Sequence, residues 1–371
     1  MTKFFRSLNL SLAAFFACSA LLAFDMPEIN LPDGFQIEVL TDQVPGARSM
    51  ALGDKGTLFV STMREGNVYA ISGIDSEPKV LTIASDLYMP NGIAFKDGNL
   101  YVAEVHRVLK FENIEDRLTS PNSKIINKSY PTDRHHGWRY IAFGPDGKLY
   151  IPIGVPCNIC DEPDYGVITR IDTDGSNKEV IAHGIRNTVG ITFHPQTNEL
   201  WFTDNNKDMM GDDIPPGELN RLSKEGEHFG FPFCHGTDIP DNDGYDSLGS
   251  CSDVTPPVQE LDAHVAALGL KFYTGSMFPD EYKKQIFITE HGSWNRSKKS
   301  GYRITLVRLN GNQAVSYEVF ADGWMKNEET LGRPVDLLVL PDGSMLVSGD
   351  DNGVIYKIIY LSLIHISEPT R

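Results

Sequence analysis

Two adjacent histidines, His135 and His136, stand directly before an apolar segment and are followed closely by Trp138 and Arg139. A neutral imidazole can accept a proton from a hydroxyl group near physiological pH. The alternative is that one of the two rings only hydrogen-bonds a turn, and the residue types alone favour neither interpretation. His136 is therefore a candidate general base.

Arginines occupy comparable places farther along the chain. Arg186, which is followed by Asn187, and Arg333 each precede an apolar segment, whereas Arg296 follows one. A guanidinium is a planar fork of donors that suits a carboxylate, and an Asn amide both donates and accepts. A lone arginine more often forms a surface ion pair, but three arginines beside three similar segments predict a shared anionic ligand.

The segment 204–217 is rich in Asp and Asn and carries no strand pattern. Carboxylate and carbonyl oxygens are the ligands that Ca²⁺ prefers, so the segment is a candidate cation site. Its composition is also that of an ordinary turn, which is the more frequent case.

The segments beside these residues repeat one unit, a strand, a tight turn and a second strand. In the copy after His136 the turn is Gly144–Gly147, where Pro-Asp-Gly supplies the fixed φ and the left-handed position that such a turn needs. The repeat length of about 43 to 50 residues is that of a four-stranded propeller blade. The copies start at residues 51, 94, 142 and 192, with further copies at 284–289 and 339–347.

The sequence therefore predicts an all-β, six-bladed β-propeller. Residues 35–40 alternate between apolar and polar side chains after a Pro-Asp-Gly turn. A propeller must close its ring, and an N-terminal strand that pairs with the last blade does so. We expect residues 35–40 to be the outer strand of the blade that ends near Ile359.

The two ends of the chain do not follow the repeat. Residues 1–23 place Lys3 and Arg6 before an apolar run that ends in small residues, the pattern of an export signal peptide. Lipidation of Cys18 is the alternative. Residues 361–371 resemble the translation of a sequencing adapter, and we expect them to be a non-native tail. The propeller would then span 24–360, with an insertion at about 223–265.

An exported chain of this kind would be periplasmic or extracellular, without stable membrane insertion. Its formal net charge is −17. Phosphate binding needs a basic face, so this charge argues against a nucleic-acid partner and against binding to an anionic membrane.

Four cysteines lie beyond the predicted signal peptide, at positions 157, 160, 234 and 251. An even number in an exported chain predicts disulfides. Proximity favours 157–160 and 234–251, although four cysteines allow three connectivities. A zinc ion bound by four thiolates is a further alternative.

Taken together and in order, five segments resemble the soluble glucose/sorbosone dehydrogenases, and the sorbosone branch more closely. These proteins are six-bladed propellers that use pyrroloquinoline quinone (PQQ) and Ca²⁺. The segments are His136 with the Phe-Gly-Pro-Asp-Gly that follows it, His-Gly-Ile-Arg-Asn at 183–187, the stretch 203–216, Glu-His-Gly-Ser-Trp-Asn-Arg-Ser at 290–297 and Gly-Arg-Pro-Val-Asp at 332–336.

The resemblance implies a role for each matching residue. His136 matches the general base, and Arg186 and Asn187 match residues that hold the carboxylate and carbonyl edge of the quinone. Two positions depart from the glucose enzymes, because Val189 replaces a polar cofactor contact and Lys207 replaces a proline. The remaining implied contacts are Arg333, Arg296 and Asn91 to the cofactor, and the backbone carbonyls of Asn206 and Lys207 to Ca²⁺.

The resemblance also implies an activity. The expected reaction is oxidation of the C1 hydroxyl or aldehyde of an aldose or sorbosone-type sugar, with hydride transfer to PQQ and onward transfer of electrons to an external acceptor. Two alternatives are a calcium-dependent lactonase-like propeller, which would need a carboxylate-rich metal site, and a propeller that binds ligands without catalysis. Val189 and Lys207 keep the second alternative open.

Overall fold

A computed structural model describes residues 26–361. The predicted signal peptide and, apart from Leu361, the predicted non-native tail lie outside this range. Both remain predictions.

Six sheets of mostly antiparallel strands form the blades of a β-propeller, as the sequence predicts. The first three blades are built from consecutive strands, and the third gains a short parallel strand at its outer edge. Blade 1 contains β2 (Met50–Leu52), β3 (Leu58–Ser61), β4 (Val68–Ser72) and β5 (Lys79–Ala84); blade 2 contains β6 (Gly92–Lys96), β7 (Asn99–Ala103), β8 (Val108–Phe111) and β9 (Ser123–Asn127); blade 3 contains β10 (Ala142–Phe143), β11 (Leu149–Ile153), β12 (Val167–Ile171), β13 (Glu179–His183) and β17 (Glu227–His228).

Two of the last three blades contain a strand that is not consecutive in sequence with the others. It is β20 in blade 4 and the N-terminal strand β1 in blade 6. Blade 4 contains β14 (Gly190–Phe193), β15 (Leu200–Asp204), β16 (Pro216–Leu222) and β20 (Gln259–Ala263); blade 5 contains β21 (Ala267–Phe272), β22 (Ile286–Glu290), β23 (Arg303–Asn310) and β24 (Gln313–Ala321); blade 6 contains β27 (Pro334–Val339), β28 (Met345–Gly349), β29 (Val354–Tyr360) and β1 (Phe35–Thr41).

The turn after β10 shows why the repeat folds as it does. Gly147 has a φ of +78°, which L side chains rarely adopt, and its N–H donates to the carbonyl of Gly144 at 2.9 Å. The side chain of Asp146 accepts from the N–H of Lys148 at 3.1 Å and fixes the turn from inside. The second strands of the blades, such as β3 and β11, are buried along their whole length and are accordingly apolar.

The N-terminal strand closes the ring. β1 pairs antiparallel with β29, with Phe35 opposite Tyr360. The ring of Phe35 also meets Phe278, Tyr282 and Phe320 edge to face, at centroid distances of 4.8 to 5.1 Å. The predicted closure by residues 35–40 is therefore confirmed, and apolar contacts between blades 5 and 6 support it.

An excursion between β16 and β20 contains β17, the two-residue strands β18 (Cys234–His235) and β19 (Ile239–Pro240), and the 3₁₀ helices Asp246–Leu248 and Cys251–Asp253. The insertion predicted at about 223–265 covers this excursion and also the outer strand of blade 4. Disulfides join Cys157 to Cys160 and Cys234 to Cys251, which confirms the pairing favoured by proximity.

The remaining elements are small. They are the 3₁₀ helices Ile114–Asp116 and Asp280–Tyr282, and the hairpin of β25 (Met325–Lys326) and β26 (Glu329–Thr330). Within residues 26–361, no helix has both the length and the apolar character needed to cross a membrane.

Candidate active site

A cavity of about 650 Å³ opens at one end of the ring. Its walls come from loops that precede the first strand of a blade and loops that follow the second strand. Both kinds of loop lie at the same end because the two strands are antiparallel. The polar and ionisable side chains on its wall that could bind a ligand or transfer a proton include Arg48, His136, Arg186, Asn187, His291 and Arg333.

His136 lies on the wall with 7% of its surface exposed. Its Nδ1 is 2.8 Å from the carbonyl oxygen of Val155. A carbonyl only accepts hydrogen bonds, so Nδ1 carries the proton and the lone pair of a neutral ring is on Nε2. The ring is therefore held in the tautomer that a general base requires.

The surroundings of His136 favour the neutral ring. Burial lowers the pKa well below its ordinary value, and the positive charge of Arg186 and the neighbouring His135 lower it further. The hydrogen bond to Val155 acts in the opposite direction but is the weaker influence. An imidazole in this place stays unprotonated at neutral pH.

The backbone of His136 has a φ of +48°, which is uncommon for a residue with a side chain. Arg139 supports this conformation by donating from Nη1 to the carbonyl oxygen of His136 at 3.3 Å. Arg139 is 1% exposed, and its other donors reach the carbonyl oxygens of Val105 and Pro131. This support from Arg139 was not predicted, although Arg139 stands three residues after His136.

Arg186 is at the cavity, but most of its donors are already used. Its Nε donates to the carbonyl of Asn158 at 2.9 Å and its Nη1 to the carbonyl of Asn205 at 2.9 Å. Its Nη2 donates to the side chains of Asn158 and Asp208, both at 2.8 Å. A guanidinium has five N–H donors, so one on Nη1 is left for a ligand.

Asn187 is 7% exposed and lines the same wall. Its backbone N–H donates to Asp204 at 2.6 Å, and its side-chain amide has no hydrogen-bond partner among residues 26–361. Asp204 also accepts from the N–H of Arg186 at 2.8 Å. The Asp204 carboxylate thus fixes the backbone of the loop that carries Arg186 and Asn187. Burial raises the pKa of Asp204.

Arg333 is a cation on the wall without a carboxylate partner in the described part of the chain, as is the exposed Arg64. Its Nη1 lies 3.4 Å from Nδ1 of His291, its Nη2 lies 3.3 Å from the hydroxyl of Tyr302, and its guanidinium covers the Tyr302 ring at 4.9 Å. No carboxylate within residues 26–361 pairs with it. Such a half-buried, unneutralised guanidinium suits an anionic ligand.

Arg48, which was not predicted as a site residue, is a further arginine on the wall. Its Nη1 pairs with Asp350 at 2.8 Å, and Nε2 of His291 donates to the other oxygen of Asp350 at 2.7 Å. Burial alone would raise the pKa of Asp350, but the contacts with His291 and Arg48 outweigh it and hold the pKa well below its ordinary value. Arg48 precedes β2 as Arg333 precedes β27, and this parallel is the signal that could have revealed it.

Asn91 was predicted to touch the cofactor, and the structure places it behind the wall. It is 1% exposed, its Oδ1 accepts from Nε of Arg48 at 2.7 Å, and its Nδ2 donates to the carbonyl of Arg139 at 3.2 Å. Both ends of its amide are occupied by protein. Asn91 therefore holds the guanidinium of Arg48, and its contact with a cofactor stays a prediction.

Arg296 also lies outside the residues that line the cavity. Its guanidinium contacts the carbonyl of Asp212, the carboxylate of Asp213 at 3.1 Å and the carbonyl of Lys298 at 3.2 Å. It ties the loop after β22 to the loop after β15, and its contact with a cofactor stays a prediction.

Asn206 and Lys207, the predicted calcium ligands, lie in the loop after β15. The side chain of Asn206 donates to Glu218 at 2.7 Å, and Lys207 pairs with Asp241 and Asp243, both at 2.7 Å. Within residues 26–361 no donor binds their backbone carbonyl oxygens, and no group of three or more His, Cys, Asp or Glu is arranged as a metal site. Metal binding here would have to use the carbonyls.

An apolar floor lies below these groups. Val189, Leu268 and Val335 are buried together and Trp138 packs against them. The residue that departs from the glucose enzymes, Val189, thus belongs to a buried apolar cluster. Two residues of this cluster, Trp138 and Leu268, line the cavity with His136.

Comparisons with known proteins agree with this architecture. The TrAA12-like family model matches residues 168–360, more than half of the chain. An uncharacterized protein of Borreliella burgdorferi is 33% identical over 356 residues, covering 90% of this chain and 91% of that one.

Solved structures share the fold at low identity. The holo form of the pyranose dehydrogenase PQQ domain from Coprinopsis cinerea is 18% identical, covers 90% of this chain and 98% of its own, and has a TM-score of 0.77. The calcium structure of the family AA12 enzyme of Trichoderma reesei is 19% identical, with coverages of 90% and 97% and a TM-score of 0.75. The PQQ-bound aldose sugar dehydrogenase of Streptomyces coelicolor is 18% identical, with coverages of 89% and 99% and a TM-score of 0.63.

The family match over residues 168–360 and the 33% identical relative, which the chain covers almost fully, lead to one conclusion. This chain belongs to the TrAA12-like family.

Proposed function

We propose that this protein is a PQQ-dependent sugar dehydrogenase with His136 as its general base. The observation that carries the proposal is the position of His136. Its ring lies on the wall of a cavity of about 650 Å³ with Nε2 unprotonated, and Arg333 lies on the same wall. The combination of a proton acceptor and an unneutralised cation suits an acidic redox cofactor beside a hydroxyl substrate.

The residues present fit PQQ, a flat molecule with three carboxylates. Arg333 has no carboxylate partner within residues 26–361, Arg186 keeps one free N–H, and the amide of Asn187 is unpaired. These three groups would hold the cofactor's acidic edge, and the apolar surface around Trp138 and Leu268 would face its ring system. The cavity volume is in the range of small-molecule and cofactor sites.

Ca²⁺ would bind at the backbone carbonyls of Asn206 and Lys207, to which no group within residues 26–361 donates. Lys207 replaces a proline of the glucose enzymes, and its buried pairing with Asp241 gives the loop another means of holding its shape. A hard cation at oxygen ligands beside the cofactor would act as a Lewis acid.

When bound, PQQ would accept the hydride that leaves the sugar carbon. The protein's own contribution is to remove the hydroxyl proton at Nε2 of His136, while Val155 keeps Nδ1 protonated. Proton removal of this kind contributes about 10²–10⁴-fold to rate. The arginines and the apolar floor would orient the reactants and exclude water, which supplies much of the remaining acceleration.

The solved structures that share this fold include a pyranose dehydrogenase PQQ domain and a PQQ-bound aldose sugar dehydrogenase, and this supports a sugar as the substrate class. The electrons would pass to an external acceptor. More specifically, we propose that the protein is of the sorbosone branch and oxidises a sorbosone-type sugar. We also propose that it is exported to the periplasm or to the outside of the cell.

One observation favours a second candidate, a propeller that binds a ligand without oxidising it. Arg48 and Arg186 are both neutralised by carboxylates, Asp350 and Asp208. Within residues 26–361, the cavity arginines without a carboxylate partner are therefore Arg333 and Arg64. A site of this kind would bind a less highly charged ligand than PQQ.

Optical titration of the purified apo-protein distinguishes the two candidates. The proposed enzyme gains quinone absorbance when PQQ and Ca²⁺ are added together, loses it with a chelator, and reduces a dye when sugars are supplied. A spectrum and melting temperature that ignore both ligands would leave the binding propeller as the better account, because a ligand that binds the native state must raise its stability.

A further inference from the structure

The loop closed by the Cys157–Cys160 disulfide lies against Arg186. The loop follows β11 and Val155, and its four residues are half-buried. Within the loop, Asn158 makes the contacts with the cavity wall. The proposed function assigns no role to this loop.

Asn158 binds two charged residues of the wall at once. Its backbone carbonyl accepts from Nε of Arg186 at 2.9 Å, and its Oδ1 accepts from Nη2 at 2.8 Å. The same Oδ1 accepts from the N–H of Asp208 at 2.8 Å, and its Nδ2 donates to the carbonyl of Asp208 at 3.0 Å. Its carbonyl and both ends of its amide are therefore engaged.

These contacts define the orientation of the guanidinium. Two acceptors on one residue hold Nε and Nη2, and the planar group cannot rotate without breaking both bonds. Asp208 completes the arrangement through its ion pair with Nη2. The one N–H that is left on Nη1 has a fixed direction as a result.

We infer that Asn158, held in place by the Cys157–Cys160 disulfide, is a positioning residue that fixes the guanidinium of Arg186 beside His136. A disulfide across four residues leaves the backbone of Asn158 little freedom, which keeps its carbonyl and side chain aimed at the same partner. Reduction of this disulfide would loosen the two bonds from Asn158 to the guanidinium of Arg186, and the bonds to Asn205 and Asp208 would remain. The consequence for cofactor binding rests on the proposed function, whereas the placement of Arg186 does not.

The first test follows the imidazole of His136 by NMR titration of the apo-protein. Arg186 lowers the pKa of His136, so freeing the guanidinium should raise it. In Asn158→Ala, and in the double variant Cys157→Ser/Cys160→Ser, we expect the midpoint to move upward by about 0.5 to 1 pH unit. Asn158→Ala retains the disulfide and keeps the test valid if the double variant does not fold.

Two controls separate this effect from general loosening. Ile159→Ala alters the same loop at a residue without a side-chain hydrogen bond, and Cys234→Ser/Cys251→Ser removes the other disulfide. Both should leave the midpoint of His136 unchanged. A shift of equal size in either control would overturn the inference.

A double-mutant cycle tests the route through Arg186. In an Arg186→Met background, Asn158→Ala should have no further effect on the midpoint of His136. If Asn158→Ala raises it as much without the guanidinium as with it, the residue acts through solvent access and the inference is wrong.

A second readout is the affinity for PQQ with Ca²⁺ present. Asn158→Ala should weaken it about tenfold, the effect of losing one charge-assisted hydrogen bond. If the wild-type protein binds no PQQ, the proposed function fails, and the NMR titration still decides the role of Asn158. PQQ affinity that Asn158→Ala leaves unchanged, in a wild type that does bind it, would contradict the inference.

Discussion

His136 and Arg186 are joined through a single residue, Val155. The carbonyl oxygen of Val155 accepts from Nδ1 of His136 at 2.8 Å, and its N–H donates to the carbonyl of Arg186 at 2.9 Å. Gly154 fits between the two residues, since a Cβ there would lie 2.7 Å from the Cβ of His136 and 3.2 Å from the carbonyl oxygen of Arg186. The candidate base from blade 3 and the cation that precedes β14 of blade 4 thus share one rigid backbone support.

This proximity has a consequence for pH dependence. Burial and Arg186 lower the pKa of His136, so its neutral form persists below the ordinary histidine pKa of about 6.5. Turnover of the PQQ- and Ca²⁺-loaded protein should stay near its maximum at pH 6.5 and fall only in more acid solution. Steady-state dye reduction at saturating sugar measures this limb. A limb centred above pH 6.5 would show that another group is titrating.

The same shift predicts a contribution of His136 to stability. The folded state resists protonation of this ring, so between the lowered pKa and about 6.5 the unfolded chain binds more protons. Stability should therefore fall as the pH drops below about 6.5, and His136→Gln should remove part of this dependence. Urea unfolding at a series of pH values gives the comparison, and identical pH dependence in both proteins would refute the lowered pKa.

Arg333 and Arg296 should behave differently, although both were predicted to contact the cofactor. Arg333→Met removes a cavity cation that has no carboxylate partner in the described residues, and it should weaken PQQ binding about 10- to 100-fold. Arg296→Met is the matched control, because that guanidinium bonds Asp213 and backbone carbonyls outside the cavity, and it should change PQQ affinity little. Isothermal titration with PQQ in the presence of Ca²⁺ provides the measurement. An equal loss of PQQ affinity in the two variants would show that Arg296 contributes to the cofactor site after all.

Phe35 should carry much of the ring closure. Its ring packs edge to face on Phe278, Tyr282, Phe320 and Tyr360, and Phe35→Ala should cost about 3–5 kcal/mol of unfolding free energy. Gln36→Ala alters the exposed neighbour on the same strand and should change stability by less than about 0.5 kcal/mol. Denaturant unfolding of both variants tests the difference. Similar stabilities would mean that β1 adds little to the ring.

The fold could be predicted from the sequence because each blade repeats its own local signals. Turn residues such as Asp146 and Gly147, and the alternation in residues 35–40, mark structure within a few positions of themselves. The two disulfides were accessible for the same reason, since each joins cysteines that are close in sequence.

The site was predicted only in part. The sequence indicates which loop carries a residue, and this placed His136, Arg186, Asn187 and Arg333 around one cavity. It does not indicate which neighbours occupy a side chain, so the contacts of Asn91 with Arg48 and of Arg296 with Asp213 were not predicted. The ion pair between Arg48 and Asp350 could not be predicted from the sequence. The two residues are 302 positions apart, and only the closed ring brings them together.

Sugar-dependent dye reduction by His136→Gln loaded with PQQ and Ca²⁺ tests the role of His136 as the proton acceptor most directly. We expect this variant to bind PQQ like the wild type, because other residues hold the cofactor, and to turn over about 10²–10⁴-fold more slowly. His135→Gln, altering the exposed neighbour, should lose much less. Turnover of His136→Gln near the wild-type rate would show that the proton acceptor lies elsewhere.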